Sequence, residues 1–359
     1  MPHVATHITQ QEIADRTRTF LSKRISAQID RASLIHDDYA SLWRSIESMV
    51  QTGGKYMRPY LLALSYKAAD ADAELDDIMP ALGAIELLNL SLLIHDDIID
   101  RDDVRYGIRN ISGQRSDEYL TLIDDERDRE HFAHSAALLA GDLTLSLAHQ
   151  LLAECDVAPQ ILRNSTDIFY EGIFRVAGGE LLDTESAFRG ANRADTSLIA
   201  HEKTASYSVC LPLKLGAALA SAPVGYLGQL DSIGSLLGEA YQLQDDILGT
   251  FGEETLTGKT VDGDLREGKR TYLIEYFYEH ADDFEKAELE CSFQVHDASN
   301  EDFERARRVL RSSGALAAVE ERIDELTRIA ISEIEQLGWP REFIDQLGQF
   351  AKKSTRRKK

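Results

Sequence analysis

Proline and cysteine are scarce in this chain of 359 residues, and basic residues are outnumbered. Only seven prolines occur, so long stretches carry no residue that would interrupt a helix. The three cysteines, Cys155, Cys210 and Cys291, are scattered and odd in number. That excludes a disulfide framework and points to a reducing compartment, the cytoplasm. Lys plus Arg number 39 against 62 Asp plus Glu, a formal charge of −23. Such a balance excludes nucleic acid as a general partner. An anionic substrate stays open if divalent metals stand between it and the protein. No apolar run reaches ~18 residues, so no transmembrane segment is expected. The start, MPHVATHITQ, has no basic stretch leading into an apolar one, so no secretory signal is expected.

What is present is helical pattern. Apolar residues recur at i, i+3, i+4 and i+7 through most of the chain. The runs ALGAIELLNLSLLIHDDIID and SAALLAGDLTLSLAHQLLAE are nearly apolar all round, which predicts interior helices. ALAAVEERIDELTRIAISEIEQL is amphipathic and is expected outside. No strand alternation and no glycine-rich linker stands out. At ~150 residues per domain the length would allow two domains. The unbroken pattern instead predicts one all-α domain over 1–351, of about ten or more helices with central helices ringed by others. Residues 107–131 and 251–270 read as loops. The final KKSTRRKK, 352–359, reads as a disordered basic tail, with weak contact to an anionic membrane surface as its functional alternative.

Carboxylate pairs are so frequent that most must be solvated surface. A DDxxD string occurs twice, at Asp96-Asp97-Ile98-Ile99-Asp100 and at Asp124-Asp125-Glu126-Arg127-Asp128. The second copy lies in DDERDRE with no apolar flank, where water and neighbouring charges satisfy it. The first closes a helix whose preceding dozen residues are almost all apolar. Carboxylates left unpaired there would cost several kcal/mol each, so a cation is expected to face them. Asp96 and Asp100, at i and i+4, share a helix face about 6 Å apart along the axis. Hard oxygen donors at that spacing suit Mg2+. Tyr241-Gln242-Leu243-Gln244-Asp245-Asp246 ends a second apolar helix, and two interior helices with such pairs could hold a shared metal cluster.

Cations stand where an anionic ligand of such a cluster would need them. Gly53-Gly54-Lys55-Tyr56-Met57-Arg58-Pro59 places Lys55 and Arg58 at a helix start. Arg101 and Arg105 follow the first carboxylate set. Lys203-Thr204 lies in HEKTASYS, and Lys259, Lys269 and Arg270 lie after the second pair. Singly, each is a commonplace surface cation.

In order along the chain, GGKYMRP, HDDIID with RYG, AGDLTL, GGELLD, KTASY, YQLQDDILG and GKTVDGDLREGKR resemble the trans-polyprenyl diphosphate synthases, the farnesyl and geranylgeranyl diphosphate synthase family, in its bacterial form. The likeness covers about residues 15 to 340. It implies the all-α isoprenoid synthase fold, mostly antiparallel helices around a central cavity, and a homodimer. It implies Mg2+-assisted ionisation of an allylic diphosphate and addition to isopentenyl diphosphate, with three ions when substrate is bound. Asp96, Asp100 and Asp245 would hold Mg2+, with Asp97 and Asp246 supporting. Arg105, Lys203, Thr204, Gln242, Lys259 and Lys269 would serve the allylic diphosphate or its metals. Lys55, Arg58, Asn89 and Tyr106 fall at the isopentenyl diphosphate site.

Four departures from the family pattern stand out. Tyr106 follows Arg105 where a second arginine is usual, Asn89 replaces His or Gln, Glu180 replaces Gln, and the segment from Gly107 to Gly141 is long. The last Asp of the second motif is Gly249, as in similar bacterial sequences. A small Ser91 and Leu92 before the first motif suggest an open pocket floor and a C20 product, with C15 or longer as alternatives. A terpene cyclase, a prenyltransferase with another acceptor and a non-catalytic partner subunit are the competing readings. The choice between the two DDxxD copies is testable: Asp96→Ala is expected to abolish turnover while Asp124→Ala leaves it nearly unchanged. A comparable loss in Asp124→Ala, measured by product formation, would overturn that choice.

Overall fold

A computed structural model describes residues 7–105, 107–186, 188, 195–252, 263–295 and 297–355. Apart from one hairpin of two-residue strands, every regular element among them is a helix. The all-α expectation therefore holds. The chain divides into two compact units, Met1–Thr166 and Asp167–Lys359.

The first unit runs through α1 (Gln10–Ser33), α2 (Asp37–Thr52), α3 (Met57–Ala69), a 3-10 turn (Leu75–Ile78) and α4 (Met79–Ile99). The hairpin β1 (Val104–Arg105) and β2 (Ile108–Arg109), α5 (Ile111–Glu118) and α6 (Glu126–Ala153) follow, and α7 (Pro159–Ser186) carries the chain into the second unit. Its axis is α4, which packs on α1, α3, α5 and most extensively on α6. Pro80 sits in the first turn of α4, where its missing N–H costs nothing. From Ala81 to Ser91 every side chain is buried, as an all-round apolar helix requires.

Helix α6 corrects the second interior expectation. Its small residues Ala133, Ala137, Ala140, Gly141, Thr144 and Ala148 are buried, whereas Leu138 and Leu139 are 51% and 57% exposed. The small side chains permit close approach on one face and leave the leucines on the other. Two segments, Leu75–Ile99 and Glu126–Ala153, are also long and apolar enough to match a membrane span. The most apolar part of the first is 78% buried within the protein and that of the second 44%, so the first is core.

The expected loop at 107–131 is largely ordered. Asn110 caps α5 by accepting the Gly113 N–H at 2.9 Å, and Asp125 caps α6 by accepting the Asp128 N–H at 3.1 Å. The second DDxxD string is thus a helix start with exposed carboxylates, as its polar flanks suggested. The expected tail also begins later than 352, because the last helix continues to Ser354; residues 356–359 lie outside the described residues.

The second unit contains α8 (Thr196–Ile199), a π-helical segment (Ala200–Cys210), α9 (Leu211–Leu219) and α10 (Val224–Phe251). It continues with α11 (Gly263–Glu267), α12 (Tyr272–His280), α13 (Asp283–Glu290), α14 (Asn300–Ser312), α15 (Ala315–Ile334) and α16 (Arg341–Ser354). Its axis is α10, packed on the π segment, α9, α11, α12 and α15. The amphipathic prediction for α15 holds: Leu316, Val319, Ile323 and Leu326 are buried while Glu320, Glu321 and Asp324 are exposed. Arg270, grouped with the loop cations, lies 4.8 Å from the Tyr278 ring centre and 5.0 Å from that of Phe293, which makes it a packing residue.

Glycines seat the π segment. A methyl group at Gly179 of α7 would overlap the Lys203 backbone, and one at Gly238 of α10 would overlap Ala205. Backbone therefore rests directly on backbone. Gly238→Ala is expected to lower unfolding free energy by about 1–3 kcal/mol through overpacking. Gly228→Ala, on the same helix with nothing within 4 Å, should raise it by up to about 1 kcal/mol through helix propensity. Urea denaturation of the two variants reads both signs.

Candidate active site

The C-terminal end of α4 presents the first carboxylate set. Asp100 is the C-cap, Arg101 adopts a left-handed φ of 58°, and the Asp102 N–H returns to the Asp97 carbonyl at 2.8 Å. The Arg101 N–H reaches the Ile98 carbonyl at 3.4 Å, completing a Schellman turn with arginine where glycine is usual. That reversal leads into the hairpin, with Gly107 at φ 76° beside its tip, and the hairpin brings Arg105 back onto α4. Arg105 Nε donates to Asp97 Oδ1 at 2.6 Å and Nη2 to Asp96 Oδ2 at 3.1 Å. Asp97 and Arg105 are both buried. Burial pushes the Asp97 carboxyl up to about 6, against the pull of Arg105. Asp97 thus fixes Arg105, while Asp96 and Asp100 are half-buried on the neighbouring face.

A second corner lies at the start of α3. Gly54 and Tyr56 both take left-handed conformations, with φ 67° and 50°. Gln10 Nε2 donates to the Lys55 carbonyl at 2.7 Å, and the buried Tyr56 hydroxyl donates to the Val50 carbonyl at 2.8 Å. The Arg18 guanidinium stands over the Tyr56 ring at 4.8 Å. Glu86 of α4 is buried against this turn: a Cβ on Gly54 would sit 3.3 Å from its Oε1. Burial pushes the Glu86 carboxyl up to about 7, opposed by Arg58, a hydrogen bond from the Asn89 side chain, and Arg18. Asn89 is buried as well, and its Oδ1 has no hydrogen-bond partner among the described residues.

The second unit carries a carboxylate and cation set of its own. Lys203, on the π segment, donates to Asp183 Oδ2 at 2.5 Å and lies 3.0 Å from Glu180 Oε2. The neighbouring Thr204 hydroxyl donates to Gln242 Oε1, and Gln242 Nε2 donates to Asp246 Oδ1 at 2.7 Å. Burial pushes the Asp246 carboxyl well above its usual range, and the charges of Asp264, Asp183 and Asp245 push the same way. A methyl group at Gly249 would overlap Asp264 Oδ2. The place of the missing last Asp is therefore taken by a carboxylate from α11. Asp245 is half-buried one residue before Asp246, and Lys269 follows α11, its N–H donating to the Asp264 carbonyl at 2.9 Å.

In each unit the donors are carboxylate oxygens, several held partly or wholly away from water, which fits a hard divalent cation such as Mg2+. Of the residues expected at a site, Tyr106 and Lys259 lie outside the described residues. Glu86, Asp183 and Asp264 were missed. A lone Glu in the apolar run AIELLN was a signal for the first, while the other two depend on contacts distant in sequence. Ser91 is buried, and its hydroxyl donates to the Gly141 carbonyl of α6 at 2.8 Å. A separate groove of about 850 Å3, lined by Tyr272, Arg322, Arg328 and Lys352 among others, holds none of the motif residues.

Residues 39–310 match the sequence model of the polyprenyl synthetase family. The geranylgeranyl diphosphate synthase of Methanosarcina mazei is 29% identical over 295 residues, 82% of this chain and 81% of that one. The (2E,6E)-farnesyl diphosphate synthase of Mycobacterium tuberculosis is 32% identical over 228 residues, 63% of this chain and 57% of that one. A solved geranylgeranyl pyrophosphate synthase of Corynebacterium glutamicum, complexed with isoprenyl diphosphate and magnesium, aligns with a TM-score of 0.91 at 28% identity, covering 98% of this chain and 100% of that one.

The Arg105–Asp97 pair yields a stability prediction. Arg105→Ala leaves a buried carboxylate without its cation and is expected to cost about 3–5 kcal/mol. Urea unfolding at neutral pH measures it; a change within ~0.5 kcal/mol, as for an ordinary surface substitution, would refute the pairing.

Proposed function

The chain belongs to the polyprenyl synthetase family and is a chain-elongating prenyltransferase, and from that premise we propose that it condenses isopentenyl diphosphate with an allylic diphosphate to a C20 product. The observation that carries the reading is the repeated device: the central helix of each unit ends in a carboxylate motif, with cationic side chains provided by the segments around it. The C20 product is supported by relatives named geranylgeranyl diphosphate synthase, not by Ser91.

Asp96, Asp100 and Asp245 would hold Mg2+, three ions with substrate present, and Asp97 and Asp246 would support them. When bound, the metal supplies positive charge at the leaving diphosphate. Arg105, Lys203, Thr204, Gln242, Lys259 and Lys269 orient the allylic diphosphate and stabilise the charge that grows as its C–O bond breaks. Lys55, Arg58, Asn89 and Tyr106 hold isopentenyl diphosphate, whose double bond forms the new C–C bond. The proton then lost goes to the released diphosphate. Apolar walls keep water from the allylic cation.

Residues 1–351 act as one catalytic domain in the cytoplasm, as a homodimer. The dimer is supported by apolar side chains left exposed, Leu138 and Leu139 on α6 and the α7 stripe Tyr170, Phe174 and Leu181, the last three at 59%, 64% and 67% exposure. Purified protein with Mg2+, labelled isopentenyl diphosphate and C5, C10 or C15 allylic diphosphates should give labelled C20 prenol after dephosphorylation. Folded protein that elongates none of them would overturn the reading.

A further inference from the structure

Glu86 is the charged residue most deeply set at the start of α3, and the mechanism above gives it no work. Its carboxylate abuts the Gly54 turn, and the charges that act on it are Arg58 of α3 and Arg18 of α1. Its hydrogen-bond partner is Asn89, one turn along α4. As an ionised acceptor, Glu86 takes the Asn89 amino group and leaves the amide oxygen orphaned in a buried place. Such an orphan costs the full desolvation of that oxygen. A carboxylic acid in the same position would reverse the pairing, because its O–H donates and the Asn89 oxygen can accept. An amide flip of this kind changes no volume.

Resting on the reading of Lys55, Arg58 and Asn89 as the isopentenyl diphosphate site, we propose that Glu86 is a positioning residue coupled to binding of that substrate. When the diphosphate draws on Arg58, a proton from solvent joins a Glu86 carboxylate oxygen. The new O–H donates to the Asn89 oxygen, the amide turns over, and its amino group becomes available to the diphosphate. One solvent proton enters and one carboxylate charge disappears for each substrate bound. The carboxyl's position near 7 before binding makes this uptake large just above neutrality.

The test is calorimetric titration of isopentenyl diphosphate into the Mg2+-loaded full chain carrying an unreactive allylic thiodiphosphate. It is run at about pH 8, where the free ligand is fully ionised, in two buffers of different ionisation heat. Wild type is expected to take up more than about half a proton per ligand, and Glu86→Gln close to none. In parallel, KM for isopentenyl diphosphate should rise about fivefold from pH 7 to pH 8 in wild type relative to Glu86→Gln. Binding with no uptake by wild type overturns the proposal and leaves the site assignment standing, and this holds even if the variant does not fold. Equal uptake by wild type and folded Glu86→Gln also overturns it. Absence of isopentenyl diphosphate binding overturns the site assignment, and the proposal with it.

Discussion

A carboxylate at the end of a buried apolar helix has to be met by a cation or a donor, and both units of this protein are arranged around that requirement. In the first, α4 delivers Asp96, Asp97 and Asp100 at the point where its apolar face ends. The chain does not simply leave; it turns through Arg101, forms a hairpin, and returns Arg105 to Asp97. In the second, α10 delivers Asp245 and Asp246, and the answer to Asp246 comes from Thr204 by way of Gln242, while Lys203 beside them is clasped by Asp183.

Compensation is incomplete, and that is where chemistry becomes available. Asp97 sits high despite an arginine, and Asp246 is pushed well up with an amide as its main relief. A site fully neutralised by its own side chains would have little affinity for a divalent cation. Carboxylates held short of neutrality keep that affinity, and a bound cation in turn attracts the diphosphate that an acidic protein would otherwise repel.

Much of this could be read from residues in order. The dozen apolar residues before Asp96 separate that DDxxD from the copy at Asp124, because burial gives a carboxylate its consequences and solvent removes them. In the structure Asp124, Asp125 and Asp128 are exposed and Asp125 caps a helix. What could not be read are partnerships formed across folded distance. Nothing near Gly249 announces that Asp264 fills its place, and nothing near Glu86 names Arg58. Local pattern also overstated α6, whose apolar content is the same on paper whether a leucine faces α4 or the outside. Patterning assigns a helix to the interior as a whole; packing assigns it face by face.

The depth of α4 has a consequence for how the chain is made. This helix has the length and hydropathy of a membrane span, and the surface that covers it comes mainly from α6, which ends at Ala153. During synthesis from the N-terminus α4 must wait while some fifty further residues are added, about 3–10 s at ordinary rates of translation. Throughout that interval the nascent chain offers an apolar segment to any holding factor or membrane-targeting machinery nearby. The helix that ends in Asp96, Asp97 and Asp100 is therefore also a segment open to diversion on the ribosome.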